Sequence, residues 1–319
     1  MKRYLSYTFG AVALAAACVV SAVPGSAQSW PSQRVTIVVP FGAGSVTDIL
    51  ARIFAEDMGK RWGQQVVVEN KPGLAGTTAV GKSTPDGYTL MVTSNGHTVA
   101  GLVSKTLTVD PVKDFAGITR LGSAALFLIT PPDFSAKTLK DVIELAKKEP
   151  GKLNFSSPGL ASTTFIAGAL FRKQAGINIV HVPFKSAPDA VTAVMRGDAQ
   201  MYFAPVNLAR DQSAAGKVNA IAAATAKRIP EMPNTPTFTE AGLPFVYDSW
   251  FGLMAPRGVP TPILEKISKD WAAALKTPEM QDKLNKQFLI GVSDTPEQMD
   301  KRIAEETANL TQVFKEAGI

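Results

Sequence analysis

The chain alternates between short runs of β-branched residues and segments in which apolar residues recur every three or four positions. The first run, Val35–Val39, is typical of a strand buried on both faces. A glycine-containing loop follows it, and then Ile49, Leu50, Ile53 and Phe54 recur at helical spacing. This order returns along the chain. Strands that alternate with helices predict an α/β fold with βαβ units and a parallel sheet.

Turn residues and changes of hydrophobic period set the bounds of the other predicted elements. The predicted strands are Gln65–Asn70, Tyr88–Thr93, Leu153–Ser157, Ala199–Phe203, Asn219–Thr225 and Ser249–Pro256. The predicted helices are Leu139–Lys148, Ala187–Met195 and most of Pro262–Ile319, with breaks at Pro278 and at Thr295, which caps the last helix. Residues 228–244 hold four prolines, which predicts an extended surface connection.

The segment from Val35 to Arg52 has the form of a strand, a bare loop and a helix start. Pro40 cannot extend a central strand, and glycines let another group approach the backbone closely. A helix start has unpaired N–H groups and about half a positive charge, which favours anions. The loop lacks the glycines of a dinucleotide fingerprint and the lysine of a P-loop. It predicts either an ordinary turn or a loop that binds a small anion such as a carboxylate. The cap residues are Ser45, Thr47 and Asp48.

Several candidate side chains along the chain have two interpretations each. Asp48 is either a helix cap or a ligand group, and we favour the cap because the charge of Asp48 would repel a carboxylate. Arg52 lies one helical turn beyond it, so an i,i+4 ion pair explains both residues. Lys185 either supplies a counter-charge or is solvated. Phe41 and Phe184 belong either to the core or to a ligand cleft.

The opening motif returns in altered form at 153–170. The strand Leu153–Ser157 runs into a glycine loop and then into a helix start at Ser162. Two such starts facing each other across a cleft would hold one anion between them. Ligands of parallel sheets lie beyond the carboxyl ends of the strands, so Ser94 and Asn95, which follow a predicted strand, are expected at the same site.

The first 27 residues predict a cleaved signal peptide. Lys2 and Arg3 precede an apolar stretch, Phe9–Val23, and small residues precede a cut after Ala27. Removing the two basic residues takes the formal charge of the 319-residue chain from +6 to +4, which gives no reason to invoke nucleic acid. The single cysteine, Cys18, which also ends a weaker lipoprotein box, leaves with the signal. An exported chain without disulfides suits a bacterial periplasm.

The sequence gives little support to catalysis. His97 and His181 are its two histidines, and a lone histidine near a strand end is more often structural than catalytic. No G-x-S-x-G nucleophile turn occurs, and no His/Asp/Glu cluster has zinc or calcium spacing. We therefore expect no enzymatic activity, no metal and no cofactor.

Five stretches in order along nearly the whole mature chain carry a family resemblance. They read PFGAGSVTDILAR, VENKPGLAGTTA, PDGYTL, HVPFK and TPTFTEAGLP followed by SWFGLMAP. They resemble the periplasmic binding proteins of tripartite tricarboxylate transporters, the Bug family. The resemblance implies a two-lobe type II periplasmic binding fold, with a ligand cleft between lobes that two crossing strands join. It places lobe 1 at 28–125 plus 249–319 and lobe 2 at 126–248.

The resemblance also implies a function. Such a protein captures a small organic carboxylate, closes over it and presents it to membrane permease subunits; a monomer is expected. In this family two opposing loop–helix starts and ordered waters grip the carboxylate, more than an arginine does. Carried over by position, the ligand-binding residues are Phe41, Ala43, Gly44, Ser45, Thr47, Asp48, Ser94, Asn95, Ser157, Ala161, Ser162, Thr163, Thr164, Phe184 and Lys185.

The chain departs from the family pattern at three places. The second loop has Thr163 and Thr164 where the family often has a histidine. Ala204-Pro205 replaces a frequent Asp-Asn pair, and Leu126-Phe127 is more apolar than usual. These changes remove polar partners and predict a carboxylate with an apolar or aromatic body, not citrate or an amino acid.

Two other functions remain open at this stage. A binding protein of this kind could serve as a sensor for a membrane kinase, which only the neighbouring genes would distinguish from uptake. A secreted α/β enzyme acting on carboxylates or esters would require a positioned nucleophile, which the sequence does not show.

Overall fold

The structure is a computed structural model that describes residues 30–104, 106–184 and 186–316. The predicted signal peptide with Cys18 lies outside the described residues, and so does Lys185. Among the described residues, no helix is both long enough and apolar enough to cross a membrane.

The described residues form eleven strands, ten α-helices and one short 3-10 helix, Asn95–Val99. The strands are β1 (Val35–Val39), β2 (Val66–Asn70), β3 (Thr89–Ser94), β4 (Phe115–Ala124), β5 (Leu126–Thr130), β6 (Asn154–Ser157), β7 (Val180–Pro183), β8 (Tyr202–Pro205), β9 (Asn219–Ala223), β10 (Ser249–Pro256) and β11 (Leu289–Gly291). The α-helices are α1 (Val46–Trp62), α2 (Leu74–Gly81), α3 (Ala100–Val103), α4 (Leu139–Lys148), α5 (Thr163–Ala175), α6 (Ala187–Met195), α7 (Val206–Ala214), α8 (Thr261–Ala274), α9 (Pro278–Asn285) and α10 (Pro296–Glu316).

The larger sheet has six strands in the order β2-β1-β3-β10-β4-β11. Strands β1, β2 and β3 are parallel, and Val38 pairs with Glu69 on one side and Met91 on the other. Their carboxyl ends therefore lie at one edge, as the sequence predicts. The prediction of a parallel sheet is wrong for the other half, because β10 runs antiparallel to both β3 and β4.

The smaller lobe contains a sheet of β8, β5 and β9 and a parallel pair of β6 and β7. A parallel bridge between Phe155 and Met201 places β6 beside β8. Since β5 runs antiparallel to β8, the ends of β6, β7 and β8 share one edge, and the end of β5 lies at the opposite edge.

Two crossing segments join the lobes. Strand β4 passes through Ala125 directly into β5, and the chain returns from β9 to β10. The N–H of Ala224 donates to the carbonyl of Leu126 at 2.8 Å, and the N–H of Tyr247 donates to the carbonyl of Ala224 at 3.0 Å. The two segments therefore run side by side, as the family resemblance implies.

Helix α10 packs on both lobes. Met299 and Ile303 belong to a core cluster with residues of the larger sheet. Two turns further on, Leu310 and Phe314 belong to the core of the smaller lobe, where the Phe314 ring meets Phe165 edge-on with centroids 5.4 Å apart. The lobe boundaries predicted from the sequence stay a prediction, and this helix ties the two cores together.

Several predicted elements occur at their predicted bounds: β1, α4, α6 and β10. Helix α7 and strand β11 were not predicted, since β11 has only three residues and depends on pairing with β4. The predicted strand Ala199–Phe203 is shifted to β8. The connection 228–244 is extended but not wholly on the surface, because Phe238 is fully buried in the smaller lobe.

Candidate functional site

The helix starts at Ser45 and Ser162 share one hydrogen-bond pattern. The N–H of each serine donates to a glycine carbonyl three residues earlier, at 3.3 Å in the first loop and 3.1 Å in the second. Each serine Oγ accepts from the N–H three residues later, at 3.2 Å from Asp48 and 3.1 Å from Phe165. The recurrence seen in the sequence is therefore present in the backbone.

Asp48 holds the first loop in shape. Its Oδ2 accepts from the Gly44 N–H at 2.8 Å, and its Oδ1 accepts from Asn70 at 2.9 Å. The Arg52 guanidinium donates to the same carboxylate at 3.0 and 3.1 Å, so the predicted ion pair is confirmed. Burial raises the pKa of the Asp48 carboxyl, but the bonds from Arg52, Gly44 and Asn70 outweigh burial and leave the pKa below its ordinary value. Protein donors thus occupy both oxygens of this buried aspartate.

Hydroxyl groups and one histidine hold the second loop. The Ser157 Oγ lies 2.7 Å from His181 Nε2 and accepts from the Gly159 N–H at 3.1 Å. The Ser162 hydroxyl donates to the Gly159 carbonyl at 2.7 Å and lies 3.2 Å from the Thr164 hydroxyl. These bonds join neutral groups only, in contrast to the first loop.

Both histidines have structural surroundings. The half-buried His181 ring lies against Phe155 and Phe165, with centroids 5.1 and 4.5 Å away, and burial lowers its pKa to about 4. His97 Nε2 is 2.8 Å from the Pro111 carbonyl, and burial lowers its pKa to about 4 as well. Neither ring carries a charge at neutral pH. Within the described ranges no group of His, Cys, Asp and Glu side chains could hold a metal ion.

The first turns of both helices present N–H groups without a protein partner. Helix starts leave their first amides unpaired unless a cap satisfies them. Here each cap serves one amide, and the neighbouring amides have no acceptor among the described residues. In the first loop these are Ala43, Val46 and Thr47, and in the second Leu160, Ala161, Thr163 and Thr164.

The second loop packs against the edge of the larger sheet where the first loop lies. Ser94 and Asn95, both buried, follow β3 at this edge. A Cβ on the next residue, Gly96, would lie 1.8 Å from the Ala161 carbonyl oxygen, so only glycine allows this approach. The Thr163 hydroxyl lies 2.7 Å from the Ser249 hydroxyl of β10. The two helix starts therefore adjoin one edge of one sheet.

Two more of the predicted site residues, Ser157 and Phe184, lie where strands β6 and β7 of the smaller lobe end, whereas Phe41 belongs to the larger lobe. The Phe184 N–H donates to the Ser157 carbonyl at 2.8 Å, which brings these two residues together. Phe184 is half-buried and borders an open cavity of about 760 Å³ with Asp189 and Arg196. Phe41, also half-buried, packs against the core of the larger lobe.

One interpretation made from the sequence is wrong. Leu126 and Phe127 are 1% and 0% exposed, so they pack in the cores and add no apolar surface to a cleft. Ala204 is fully buried in β8, and Pro205 pairs with Leu126. The apolar character of these residues is explained by the sheet of the smaller lobe.

The role of Glu306 was not predicted from the sequence. Its Oε2 accepts from Trp250 Nε1 at 2.6 Å, and its Oε1 accepts from the Asn95 amide at 3.3 Å. Burial raises the pKa of the Glu306 carboxyl to about 7. The available signal was spacing, since Glu306 sits within a series of inward-facing residues of α10: Met299, Ile303, Leu310 and Val313.

Two α/β lobes joined by two crossing strands, with helix starts converging at the strand ends, define a periplasmic solute-binding protein. Residues 50–319 match the family described as "Tripartite tricarboxylate transporter family receptor". The chain belongs to this family, the Bug family, as its sequence motifs predicted.

Relatives and solved structures agree with this assignment. Protein BugT of Bordetella pertussis is 30% identical over 303 residues, which is 93% of each chain. A Rhodopseudomonas palustris protein solved with adipate has a TM-score of 0.79 at 30% identity, covering 91% of this chain and 99% of that one. MatC of the same species, solved with bound malate, has a TM-score of 0.75 at 30% identity over 89% of this chain and 99% of that one.

Proposed function

We propose that this protein captures a small organic carboxylate in the periplasm, between the helix starts at Ser45 and Ser162, and delivers it to the permease subunits of a tripartite transporter. The observation that carries the proposal is the pair of matched helix starts with unpartnered first-turn amides beside one sheet edge. The adipate and malate complexes of the two relatives support a carboxylate as the ligand.

Backbone amides supply the positive field for the ligand. Each helix start carries about half a positive charge, so two of them together balance about one carboxylate. Two cations near the first loop are engaged elsewhere, since Arg52 pairs with Asp48 and Lys71 pairs with Glu69 at 3.0 Å. Micromolar affinity needs about −8 kcal/mol, which several charge-assisted hydrogen bonds of about 1.5–3 kcal/mol each, with apolar burial, can provide.

The ligand's body is apolar or aromatic in this proposal. Half-buried Phe41 and Phe184 stand at the strand ends of the two lobes. Each additional carboxylate of a ligand such as citrate would need its own donors to offset the cost of leaving water. A monocarboxylate or a dicarboxylate with a hydrocarbon middle needs fewer.

Calorimetric titration of the mature chain with benzoate, terephthalate, adipate, malate and citrate tests the proposal. We expect micromolar binding of at least one of the first three acids and weaker binding of citrate. Tight citrate binding with no heat from the other acids would contradict an apolar body. No heat from any acid would contradict carboxylate capture itself.

A proline substitution tests the amide grip directly. Val46→Pro removes one unpartnered N–H at the first position of α1, where proline is tolerated. Ser45 is already extended, with φ −67° and ψ 158°, as a residue before proline requires. We expect about tenfold weaker binding of the best acid, the effect of losing one charge-assisted bond.

The matched control is Thr261→Pro at the first position of α8. Its preceding residue, Pro260, is extended too, with φ −55° and ψ 131°. Helix α8 follows β10, which runs antiparallel to β3, so it starts at the opposite edge of the sheet. We expect unchanged affinity in this variant, and an equal loss in both variants would refute the amide grip.

A further inference from the structure

Buried and half-buried polar side chains form one network across the junction of the lobes, in which Glu306 is half-buried. It begins at Trp250 of β10, which donates to Glu306 of α10 at 2.6 Å. The Asn95 amide group donates to the other oxygen of Glu306 at 3.3 Å and also to the hydroxyl of Tyr247. Asn95 is fully buried, and its Oδ1 has no partner among the described residues.

The chain continues to the second helix start. The Tyr247 hydroxyl lies close to the side chain of Thr163, whose hydroxyl lies 2.7 Å from that of Ser249. Thr163 is the first residue of α5, and its N–H is one of the unpartnered amides. Glu306 is therefore connected, through two side chains, to the group that we propose binds the carboxylate.

Glu306 is half-buried and can be reached from solvent. It lines an open cavity of about 650 Å³ between α10 and the larger sheet. A proton can therefore reach Glu306 without passing through the ligand cleft. The other residues lining this cavity are Arg120, Asp294, Gln298, Lys301, Arg302, Glu305 and Asn309.

Charges of both signs face the Glu306 carboxyl from the surrounding elements. Arg302 on α10 favours its ionised form, and Asp248 before β10 favours its protonated form. Arg120 of β4 is itself engaged by Asp294 at 2.6 Å and by Asp248 at 2.7 Å. Burial is the largest influence and holds the pKa of Glu306 at about 7, so the group exchanges a proton near neutral pH. The other charged groups at this cavity are Lys301 and Glu305.

We propose that Glu306 takes up a proton when the carboxylate is captured, so that ligand and proton bind together. The inference rests on the proposed function, because the negative charge it requires is that of the ligand at the start of α5. A second negative charge nearby disfavours an ionised carboxyl group. By linkage, affinity for the carboxylate then rises as the pH falls. Glu306 is a positioning residue that acts through Asn95 and Tyr247.

Calorimetry in two buffers of different ionisation enthalpy measures the protons exchanged on binding. The probe is adipate, or the tightest-binding acid of the panel if adipate gives no heat. At pH 7.5 we expect the wild type to take up a fraction of one proton and Glu306→Gln to take up none. Between pH 6.5 and 8.5 the wild-type affinity should fall by up to about tenfold per pH unit, and that of the variant should stay flat.

Glu305→Gln is the matched control, since it makes the same change one residue away at the rim of the same cavity. It should keep the wild-type proton uptake. Two results would overturn the inference and leave carboxylate capture intact. One is proton uptake that persists in Glu306→Gln, and the other is ligand binding by the wild type without proton uptake. If no acid of the panel binds, the proposed function fails and this inference fails with it.

Unfolding of the ligand-free chain gives a readout that does not depend on binding. Folded Glu306 keeps its proton up to a higher pH than unfolded Glu306 does, so its ionisation costs stability as the pH rises from about 4.5 to about 7. The wild type should lose denaturant resistance across this window relative to Glu306→Gln. If the unfolding free energies of the two proteins changed in parallel with pH, Glu306 would not have the raised proton affinity on which the inference depends.

Discussion

The two helix starts present the same backbone to a ligand but are supported in opposite ways. The first loop is held by an ionised network of Asp48, Arg52 and Asn70. The second is held by neutral hydroxyls and the uncharged His181. Equal geometry with unequal chemistry is what we expect if the N–H groups are the common requirement of the proposed site and the side chains around them fix the turns.

The two loops also differ in where their support comes from. The first loop is tied within its own lobe, since the N–H groups of Lys71 and Gly73 donate to the carbonyls of Val39 and Pro40. The second loop depends on the other lobe, through the Thr163–Ser249 contact and the packing of Ala161 on Gly96. We therefore infer that the first loop is preformed, whereas the second is completed when the lobes approach.

Removing the charge of Asp48 should have the largest effect of these predictions, because it removes the ionised support that distinguishes the first loop from the second. Asp48→Asn removes the charge from a buried acceptor and weakens its charge-assisted hydrogen bonds from the exposed Gly44 N–H and Arg52 guanidinium, which costs about 2 kcal/mol of unfolding free energy. The loop amides lose their fixed arrangement as well, so the affinity for adipate should fall by at least tenfold. Urea unfolding and calorimetry measure the two effects.

Asp141→Asn is the control for this substitution. Asp141 accepts from the N–H groups of Lys137 and Thr138 at the start of α4, which follows β5 at the sheet edge opposite Ser157. It should lose less stability and no affinity. If both variants lose affinity equally, Asp48 has no special role in the ligand loop.

Local features of the fold could be predicted because local chemistry decides them. The strand β1 follows from five β-branched residues, and the helix start at Ser45 follows from its cap. The Asp48–Arg52 pair follows from helical spacing alone. These features need no knowledge of what the rest of the chain does.

Features that depend on long-range packing could not be predicted. Strand β11 exists because β4 offers an open edge, and Leu126-Phe127 is apolar because a core cluster covers each face of β5. Glu306 meets Asn95 across 211 positions of sequence, and no spacing rule links them. The two loops of the candidate site were therefore predicted, but the network of side chains from Glu306 to the second loop was not.

Acid should destabilise the second loop, which contains the contact to His181, and leave the first loop intact. Its pKa of about 4 lies below the ordinary 6.5, so the unfolded chain binds more protons between these values and stability falls as the pH falls through this window. The loss should be about 1–2 kcal/mol, because the ring is partly screened by solvent. Asp48, whose pKa is already below its ordinary value, stays ionised there and keeps the first loop intact.

His181→Gln keeps a hydrogen-bonding partner for Ser157 and removes the titration. The difference in unfolding free energy between wild type and variant, measured at pH 7.5 and 4.5, isolates His181 because the contribution of His97 cancels. We expect the variant to lose less stability on acidification. An identical loss in both proteins would show that protonation of His181 does not disturb the second loop.

The smallest effects should come from the caps themselves. Ser45→Ala and Ser162→Ala each remove one hydrogen bond to a first-turn amide and should cost about 1 kcal/mol of unfolding free energy. Their effects on adipate affinity should differ, because Asp48 still holds the first loop, whereas the hydrogen bonds described in the second loop join neutral groups. We expect a several-fold loss for Ser162→Ala and little change for Ser45→Ala, measured by calorimetry. The reverse order would mean that the first loop, despite its ionised network, depends more on its serine than the second loop does.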